Sequence, residues 1–243
     1  MFITASPTKT MNRTTPPAKS LPVFPDETKM LIRRLQAMTP AEIRTAMDLS
    51  DKLTATVTED IRNLRFDKDG LSSIHAFDGL QYKRLDYKSL DTAAREYLSG
   101  HLRILSGLYG ILRPEDAVYP YRLDFAMKFL DLYHFWGDKI AGQLVGRPVL
   151  DLSSGEFSKA IAPYIPESEY HHVTFQVTKN GKRRSAATAA KMMRGRLIRY
   201  LAQNAITQPA DVCYFTADGF VFDMAASTNR HFIFVQPEQS ADK

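Results

Sequence analysis

The sequence predicts a single α+β domain in which a mixed β-sheet is flanked by helices. Strand patterns and amphipathic helical patterns both occur along the chain. The apolar fraction of 44% and the charged fraction of 24% are typical of a globular protein. A chain of 243 residues can fold without a metal or a disulfide. No repeat or low-complexity linker divides it, so we predict one domain over residues 1–243.

The first half of the chain is predicted to be mostly helical after a short apolar strand at residues 1–5. A proline-rich irregular segment follows up to residue 25. The predicted helices run over 26–38, from Thr39 onward, from Ser50 toward Arg65, and over 91–99 with Gly100 as a stop. Thr39, Pro40 and Glu42 have the spacing of a capping box with proline at the first helical position.

The second half combines strands with two further helices. The segment 101–114 is strongly apolar and punctuated by glycines. Strands are expected over 147–152, 172–177, 212–215, 220–222 and 232–235, and helices over 132–144 and 189–204. Asn180-Gly181 and Asp218-Gly219 are residue pairs that favour tight hairpin turns. These patterns place a hairpin directly before the last long helix.

Positive charge is concentrated in one part of the chain. The formal net charge is +5, yet residues 170–210 contain eight basic residues and no Asp or Glu. The remainder has 24 basic and 27 acidic residues. Segregated positive charge indicates a polyanionic partner, most often nucleic acid. The alternative is a solvated surface whose acidic neighbours come from elsewhere in the fold.

The helix at 189–204 is predicted to be amphipathic. At about 100° per residue, its solvent face carries Lys191, Arg194, Gly195 and Arg199. Its core face carries Met193, Leu197 and Leu201. Glycine inside a helix costs about 1 kcal/mol relative to alanine, so Gly195 suggests a close approach. A phosphate backbone and another segment of this chain fit that position equally well.

Three further groups could contact an anion. Lys182, Arg183 and Arg184 follow the Asn180-Gly181 turn, where they form either a phosphate clamp or a solvated loop. Lys9 lies in Ser6-Pro7-Thr8-Lys9-Thr10, either an anion site or an ordinary turn. Arg122 and Asp124 could form a local charge pair that orients Arg122 toward a phosphate, or a buried structural pair.

The segment Ser153-Ser154-Gly155-Glu156 lies where a strand gives way to a helix. Free backbone N–H groups at that position could hold an anion. Capping by Ser153 together with Glu156 explains the same residues without a ligand, and we prefer this interpretation.

Several classes of protein are disfavoured by the sequence. The single cysteine, Cys213, excludes an intrachain disulfide, and its apolar surroundings predict an inert buried thiol in a strand. The histidines lack the spacing of a metal site, so we expect no metal or cofactor. No apolar run is long enough to span a membrane, and the N-terminus does not read as a secretory signal. A cytoplasmic protein without membrane contact is expected.

The sequence resembles the YaaA family of bacterial peroxide-stress proteins from about residue 2 to 235. The matching segments are Ser6-Pro7-Thr8-Lys9-Thr10, Leu49-Ser50-Asp51-Lys52-Leu53, 101–114, Pro120-Tyr121-Arg122-Leu123-Asp124, Phe135-Trp136-Gly137-Asp138, Leu152-Ser153-Ser154-Gly155-Glu156-Phe157, Lys191…Arg194-Gly195 and Ala217-Asp218-Gly219-Phe220. The resemblance implies an α+β domain with a positively charged cleft, DNA binding and a role in limiting oxidative damage. It implies no known catalytic reaction.

The chain departs from the family pattern at four positions. The family usually has Ala, Glu and Tyr where this chain has Thr8, Asp124 and Phe157, and often Lys where it has Met192. The resemblance also implies a helix-hairpin-helix DNA element. Ser106-Gly107-Leu108-Tyr109-Gly110 has the glycines of such a hairpin, but Pro114 falls where its second helix would begin, which disfavours this placement.

We therefore expect a DNA-binding protein that contacts mainly phosphates, since no helix carries a set of base-reading side chains. The expected contact residues are Lys9, Arg122, Lys182, Arg183, Arg184, Lys191, Arg194, Gly195 and Arg199. An enzyme acting on a phosphorylated or nucleic-acid substrate is the alternative. Its site would use Lys9, Arg122, Asp124, Asp138 and Glu156. A structural or interaction module without its own ligand is a third hypothesis.

Overall fold

The computed structural model describes residues 1–238, and its centre is one mixed eight-stranded sheet. The strands are β1 (Phe2–Ala5), β2 (Leu71–Ser72), β3 (Leu102–Ser106), β4 (Gly110–Leu112), β5 (Ala117–Val118), β6 (Val149–Asp151), β7 (Tyr170–Lys179), β8 (Lys182–Ser185), β9 (Val221–Phe222) and β10 (His231–Gln236). Their order is β4-β3-β1-β6-β7-β10-β9, with β8 paired to β7. The inner strands β3, β1, β6, β7 and β10 are parallel. Strands β2 and β5 form a separate pair.

Helices pack around this sheet, which confirms the α+β prediction. They are α1 (Pro25–Gln36), α2 (Pro40–Met47), α3 (Asp51–Arg62), α4 (Ser73–Ala76), α5 (Leu80–Leu85), α6 (Thr92–His101), α7 (Leu132–Trp136), α8 (Lys139–Gly142), α9 (Gly155–Ser158) and α10 (Ala187–Gln203). The 3₁₀ helices are η1 (Tyr87–Ser89), η2 (Ala162–Tyr164) and η3 (Pro209–Tyr214). The last five residues of the domain that we predict over 1–243 lie outside the described residues.

Local sequence signals explain several of these boundaries. The capping box of α2 is present, because Thr39 N–H donates to Glu42 at 2.7 Å and Glu42 N–H donates to the Thr39 side chain. Asn180 and Gly181 adopt positive φ angles of 52° and 67° between β7 and β8. These angles belong to the tight hairpin turn that the pair predicts.

The core lies on both faces of the parallel strands. On one face, Phe175 of β7 packs against Phe215 and Phe234, and Phe215 also contacts Tyr200 of α10. Helix α10 therefore covers this face. Trp136 is fully buried, and its indole N–H donates to the carbonyl of Gly107 at 3.0 Å.

The apolar segment at 101–114 forms a β-hairpin. Strands β3 and β4 pair antiparallel, with Ser106 opposite Gly110. The turn residues between them are buried, and Ser106 Oγ accepts from the N–H groups of Leu108 and Tyr109. A helix-hairpin-helix element is therefore not located at these residues.

Two predicted elements differ from the structure, and Gly100, predicted to end a helix, lies within α6. The helix expected over 132–144 is divided into α7 and α8 at Gly137, whose φ of 47° breaks the helix. The strand expected over 212–215 is wrong, because Pro209 begins the 3₁₀ helix η3 there. Cys213 lies on η3 and is partly exposed, so its predicted full burial is also wrong. Within residues 1–238, no helix combines the length and apolar character needed to cross a bilayer.

Candidate nucleic-acid interface

A cleft of about 340 Å³ lies at the carboxyl ends of β1 and β6. These strands are neighbours, and the chain passes from β1 to β3 on one side before it returns to β6 on the other. Such a reversal is a topological switch point, where parallel sheets commonly bind ligands. The N–H of Ser154 donates to Ser6 Oγ at 2.8 Å, which joins the segments that follow the two strands.

A buried carboxylate organises the segment after β6. Asp151 is fully buried and accepts hydrogen bonds from Thr4 Oγ1 at 2.7 Å and from Ser153 N–H at 2.9 Å. The hydroxyls of Ser153 and Tyr170 also donate to it. His172 Nδ1 lies 3.8 Å from the same carboxylate. These contacts fix Ser153 and, with it, the position of Ser154 at the cleft.

The charge of Asp151 is stabilised by this environment. Burial by itself raises the pKa of the carboxyl group, but polar contacts with His172, Ser153, Ser158 and Tyr170 outweigh it. The pKa of Asp151 is therefore held well below its usual range. The folded protein thus keeps a buried negative charge beneath the switch point.

This arrangement corrects the capping prediction for the segment after β6. Ser154 occupies the N-cap of α9 and makes no side-chain capping hydrogen bond. Ser153 bonds Asp151 instead, and Glu156 accepts from the N–H of Ala126 at 2.8 Å. Asp151 is not among the site residues predicted from the sequence, although an acidic residue that ends an apolar strand before two serines is a visible signal.

Lys9 and Asp124 meet at the cleft, as a pair that the sequence did not predict. The Lys9 ammonium lies 3.0 Å from the Asp124 carboxylate, and both residues line the cleft. The predicted pairing of Asp124 with Arg122 is wrong. Arg122 makes no ion pair among the described residues, and its Nε is buried without a hydrogen-bond partner there. It does not line the cleft.

Lys191 and Arg194 bring positive charge to the cleft from α10. Lys191 is exposed, as predicted, whereas Arg194 is half-buried. Burial lowers the pKa of the Arg194 guanidinium, and the nearby Asp151 charge partly opposes that effect. The Nε of Arg194 is buried and lacks a hydrogen-bond partner within residues 1–238. The predicted core face of Met193, Leu197 and Leu201 is confirmed.

Gly195 is a packing residue between two helices. A Cβ atom at this position would lie 2.0 Å from the carbonyl oxygen of Gln81 and 3.0 Å from Cβ of Arg84. Of the two close approaches that the sequence allowed, the structure shows the one made by another segment of this chain. Gly195 itself is buried.

Arg199 is also used by the fold, so its predicted free exposure is wrong. Only 25% of its side chain is exposed. Its Nη1 donates to the carbonyls of Leu85 and Asp86, both at 3.1 Å, and to Ser89 Oγ at 2.8 Å. These contacts tie α10 to the end of α5 and to η1.

The basic hairpin lies at the same edge of the sheet as the cleft. Residues 172–177 of β7 pair with β10, while 170–172 pair with β6 and 176–179 with β8. Since Gln176 and Val177 pair with both β10 and β8, β8 must occupy the edge of β7 that β6 uses. Strand β8 therefore continues the line of β6 beyond its carboxyl end, about 13 Å further along β7.

The cations of β8 differ in their partners. Lys182, Arg183 and Arg184 are all exposed. Arg183 forms an ion pair with Asp223. Lys182 and Arg184 form none with any residue in the described range 1–238. Two of the three predicted clamp residues thus remain available to an external anion.

The residues of the alternative enzyme site are only partly brought together. Lys9, Asp124 and Glu156 line the cleft, whereas Arg122 and Asp138 do not. Asp138 precedes α8, where its carbonyl accepts from the N–H of Gly142 at 2.8 Å. Within residues 1–238, no three His, Cys, Asp or Glu side chains are grouped in a way that could hold a metal ion.

Fold and cleft together define an α+β protein with lysine and arginine side chains at the switch point of a largely parallel sheet. The family described as "Peroxide stress protein YaaA" matches residues 1–226, and the chain belongs to this family. The resemblance seen in the sequence motifs is thereby confirmed.

Curated relatives match over most of their length. A UPF0246 protein of Lactobacillus johnsonii is 36% identical over 224 residues, which are 89% of each chain. A UPF0246 protein of Burkholderia vietnamiensis is 33% identical over 254 residues, covering 96% of this chain and 98% of the relative. Another, from Clostridioides difficile, is 32% identical over 225 residues, covering 89% and 91%.

Proposed function

We propose that this chain binds DNA through its phosphates and acts in the response to peroxide. The observation that carries the proposal is the position, at one edge of the sheet, of exposed cations that have no ion-pair partner among the described residues. Lys182 and Arg184 lie on β8, beyond the carboxyl end of β6. Lys191 follows β8 in the sequence and lines the cleft. The peroxide role rests on the family description alone.

Phosphate contact is the mode of binding that these side chains support. Lysine and arginine on a protruding hairpin can follow a phosphate backbone, which supplies most of the affinity of non-specific binding. Between Tyr170 and Lys191 the only amide side chains are those of Gln176 and Asn180, which are too few to read a series of base edges. We therefore expect weak sequence preference and strong dependence on salt.

Not all of the segment's charge contributes to the proposed surface. Arg183, Arg196 and Arg199 pair with Asp223, Asp218 and Asp86 respectively. Lys179, Lys182, Arg184, Lys191 and Arg194 form no ion pair within residues 1–238. Five of the eight cations therefore have no acidic partner in that range, and three of these, Lys179, Lys182 and Arg184, lie on the hairpin outside the cleft.

A salt-dependent binding titration with duplex DNA tests the proposal. Each phosphate contact contributes about 0.9 to the slope of log K against log salt. The double variant Lys182→Gln/Arg184→Gln should lower the slope by about 2 and weaken binding similarly across unrelated sequences. The matched control is Lys52→Gln/Arg33→Gln, which removes two exposed cations from α3 and α1. The control should leave the slope unchanged.

Two results would contradict this proposal. An unchanged slope in the folded hairpin variant means that β8 does not contact DNA. An equal decrease of the slope in the control variant means that binding depends on the total charge of the protein and not on this edge of the sheet.

An enzyme acting on a phosphorylated substrate is the second candidate, favoured by the meeting of Lys9, Asp124 and Glu156 in the cleft. Asp124 is engaged by Lys9, and Glu156 by a backbone N–H. A reaction would have to release one of them to act as acid or base. Incubation with p-nitrophenyl phosphate tests this hypothesis, since turnover that is absent from Glu156→Gln protein would establish it. Turnover equal to that of buffer would exclude that probe as a substrate.

A further inference from the structure

The cleft at the ends of β1 and β6 is too small for a duplex. Its volume of about 340 Å³ lies near the lower end of the roughly 300–1,000 Å³ of small-molecule sites. A ligand within it can be no larger than about one nucleotide. The duplex surface proposed on β8 and the interior of the cleft are therefore different sites at the same edge.

Some of the charged side chains that line the cleft form ion pairs, and others do not. Asp124 is neutralised by Lys9, and Asp78 lies 3.2 Å from Lys83. Lys191 and Arg194 have no acidic partner within the described residues. Glu156 also lines the cleft and pairs with no cation among the described residues, so the unpaired lining charges, two positive and one negative, leave an excess of about +1 toward the negative charge of a phosphomonoester.

Hydrogen-bonding groups accompany these two cations. The Ser6 and Ser154 hydroxyls line the cleft 3.3 Å apart. The Nε of Arg194 is buried and lacks an acceptor among residues 1–238. Ser6 Oγ donates to Ser154 Oγ, so the donors left for an anion seated against α10 are the Ser154 hydroxyl and the Arg194 guanidinium.

The rest of the lining suits an apolar or planar group attached to the anion. Pro7, Leu80 and Phe157 line the same cleft. Leu80 is 40% exposed, although its side chain is large and apolar. A base or sugar in contact with Leu80 would cover this exposed surface.

We infer that the cleft binds a phosphomonoester attached to a nucleoside-sized group, with Lys191 and Arg194 at the phosphate. Two sources have this chemistry: a free nucleoside monophosphate and the 5′-phosphorylated end of a DNA strand. Only the second source rests on the proposed DNA-binding function. The hairpin cations Lys182 and Arg184 do not line the cleft and do not take part.

Calorimetric titration with adenosine 5′-monophosphate tests the site. The nucleotide should bind at least tenfold more tightly than adenosine, because the phosphate carries the charge that Lys191 and Arg194 meet. Lys191→Gln should weaken nucleotide binding about tenfold, while Lys182→Gln, which removes another exposed lysine outside the cleft, should leave it unchanged. Ser154→Ala is a second cleft variant and should weaken binding by a smaller factor.

The inference is overturned if the nucleotide binds no more tightly than adenosine. It is also overturned if Lys182→Gln weakens binding as much as Lys191→Gln, since the effect would then be one of general charge. Lys191 is exposed, so its substitution tests the site without disturbing the fold, as substitution of the half-buried Arg194 could.

Single-stranded oligonucleotides of one sequence, with a 5′-phosphate or a 5′-hydroxyl, separate the two sources. Tighter binding of the phosphorylated strand, reversed by the free nucleotide, supports a DNA end as the ligand. Equal binding of both strands, with nucleotide binding retained, supports a free nucleotide. If Lys182→Gln/Arg184→Gln leaves duplex binding unchanged, the DNA proposal is overturned. The nucleotide binding measured by calorimetry does not depend on that result.

Discussion

The two ends of α10 contain similar residue types but use them differently. Near its start, Lys191 is exposed, and it lines the cleft without an acidic partner in the described part of the chain. One to two turns later, Gly195 packs against the carbonyl of Gln81 and Arg199 donates to Leu85 and Asp86. The charge pattern is continuous, but only the first end is open to a ligand. A count of cations therefore overestimates the binding surface.

The largest expected effect is at the packed end, for Gly195→Ala. A methyl group 2.0 Å from a backbone carbonyl requires α5 and α10 to separate. We expect the free energy of unfolding to fall by about 3 kcal/mol, as in severe overpacking. Denaturation in urea measures this change.

Gly100→Ala is the matched control. Gly100 also lies in a helix, α6, where an added Cβ meets nothing within 4 Å. It should raise stability by up to about 1 kcal/mol, since alanine favours the helix. Equal stability of the two variants would show that α5 does not lie against Gly195, and the contrast between the ends of α10 would fail.

The next largest effect is expected for Asp151→Asn, which removes the buried charge near the open end. The amide cannot accept all of the hydrogen bonds that the carboxylate receives, so we expect a loss of about 2 to 3 kcal/mol at pH 7. Asp218→Asn, in an exposed pair with Arg196, should cost less than about 0.5 kcal/mol. A comparable loss in both variants would contradict the structural role of Asp151.

The same carboxylate predicts a dependence of stability on pH. Because the pKa of Asp151 is lower in the folded protein, its contribution is fully present above the unfolded value of about 4. It is lost progressively as the pH falls toward the folded value. Between pH 5 and pH 3, the wild-type protein should therefore lose more stability than Asp151→Asn. Parallel curves for the two proteins would contradict this expectation.

A smaller effect is expected for Arg199→Gln. Loss of the donated hydrogen bonds to α5 and η1 should lower the free energy of unfolding by about 1.5 kcal/mol. The slope of duplex affinity against salt should not change in the folded variant. A slope reduced by about 1 would place Arg199 on the DNA surface and remove the distinction between the two ends of α10.

The smallest effect on stability is expected for Lys182→Gln/Arg184→Gln. Both side chains are exposed and have no ion-pair partner in the range 1–238, so the free energy of unfolding should change by less than about 0.5 kcal/mol. A loss above 1 kcal/mol would show that the fold uses these cations, as it uses Arg199.

Features whose causes are local can be predicted from the sequence alone. The capping box at Thr39, the hairpin turn at Asn180-Gly181 and the buried side of α10 are set by residues a few positions apart. The amphipathic pattern was sufficient to bury Leu197, because it depends only on the helical period. The family motifs were equally readable, since they are contiguous.

Which charged residues remain available to a ligand depends on contacts between distant segments of the chain. Arg199 and its acceptor Leu85 are 114 residues apart, and Gly195 meets Gln81 at the same separation. Asp124 has Arg122 as its neighbour in sequence but pairs with Lys9 across the cleft. The local sequence pattern predicts which face of a helix a side chain occupies. The partners of that side chain come from distant segments that the fold brings together. The cleft itself exists only because β1 and β6 are adjacent in the sheet.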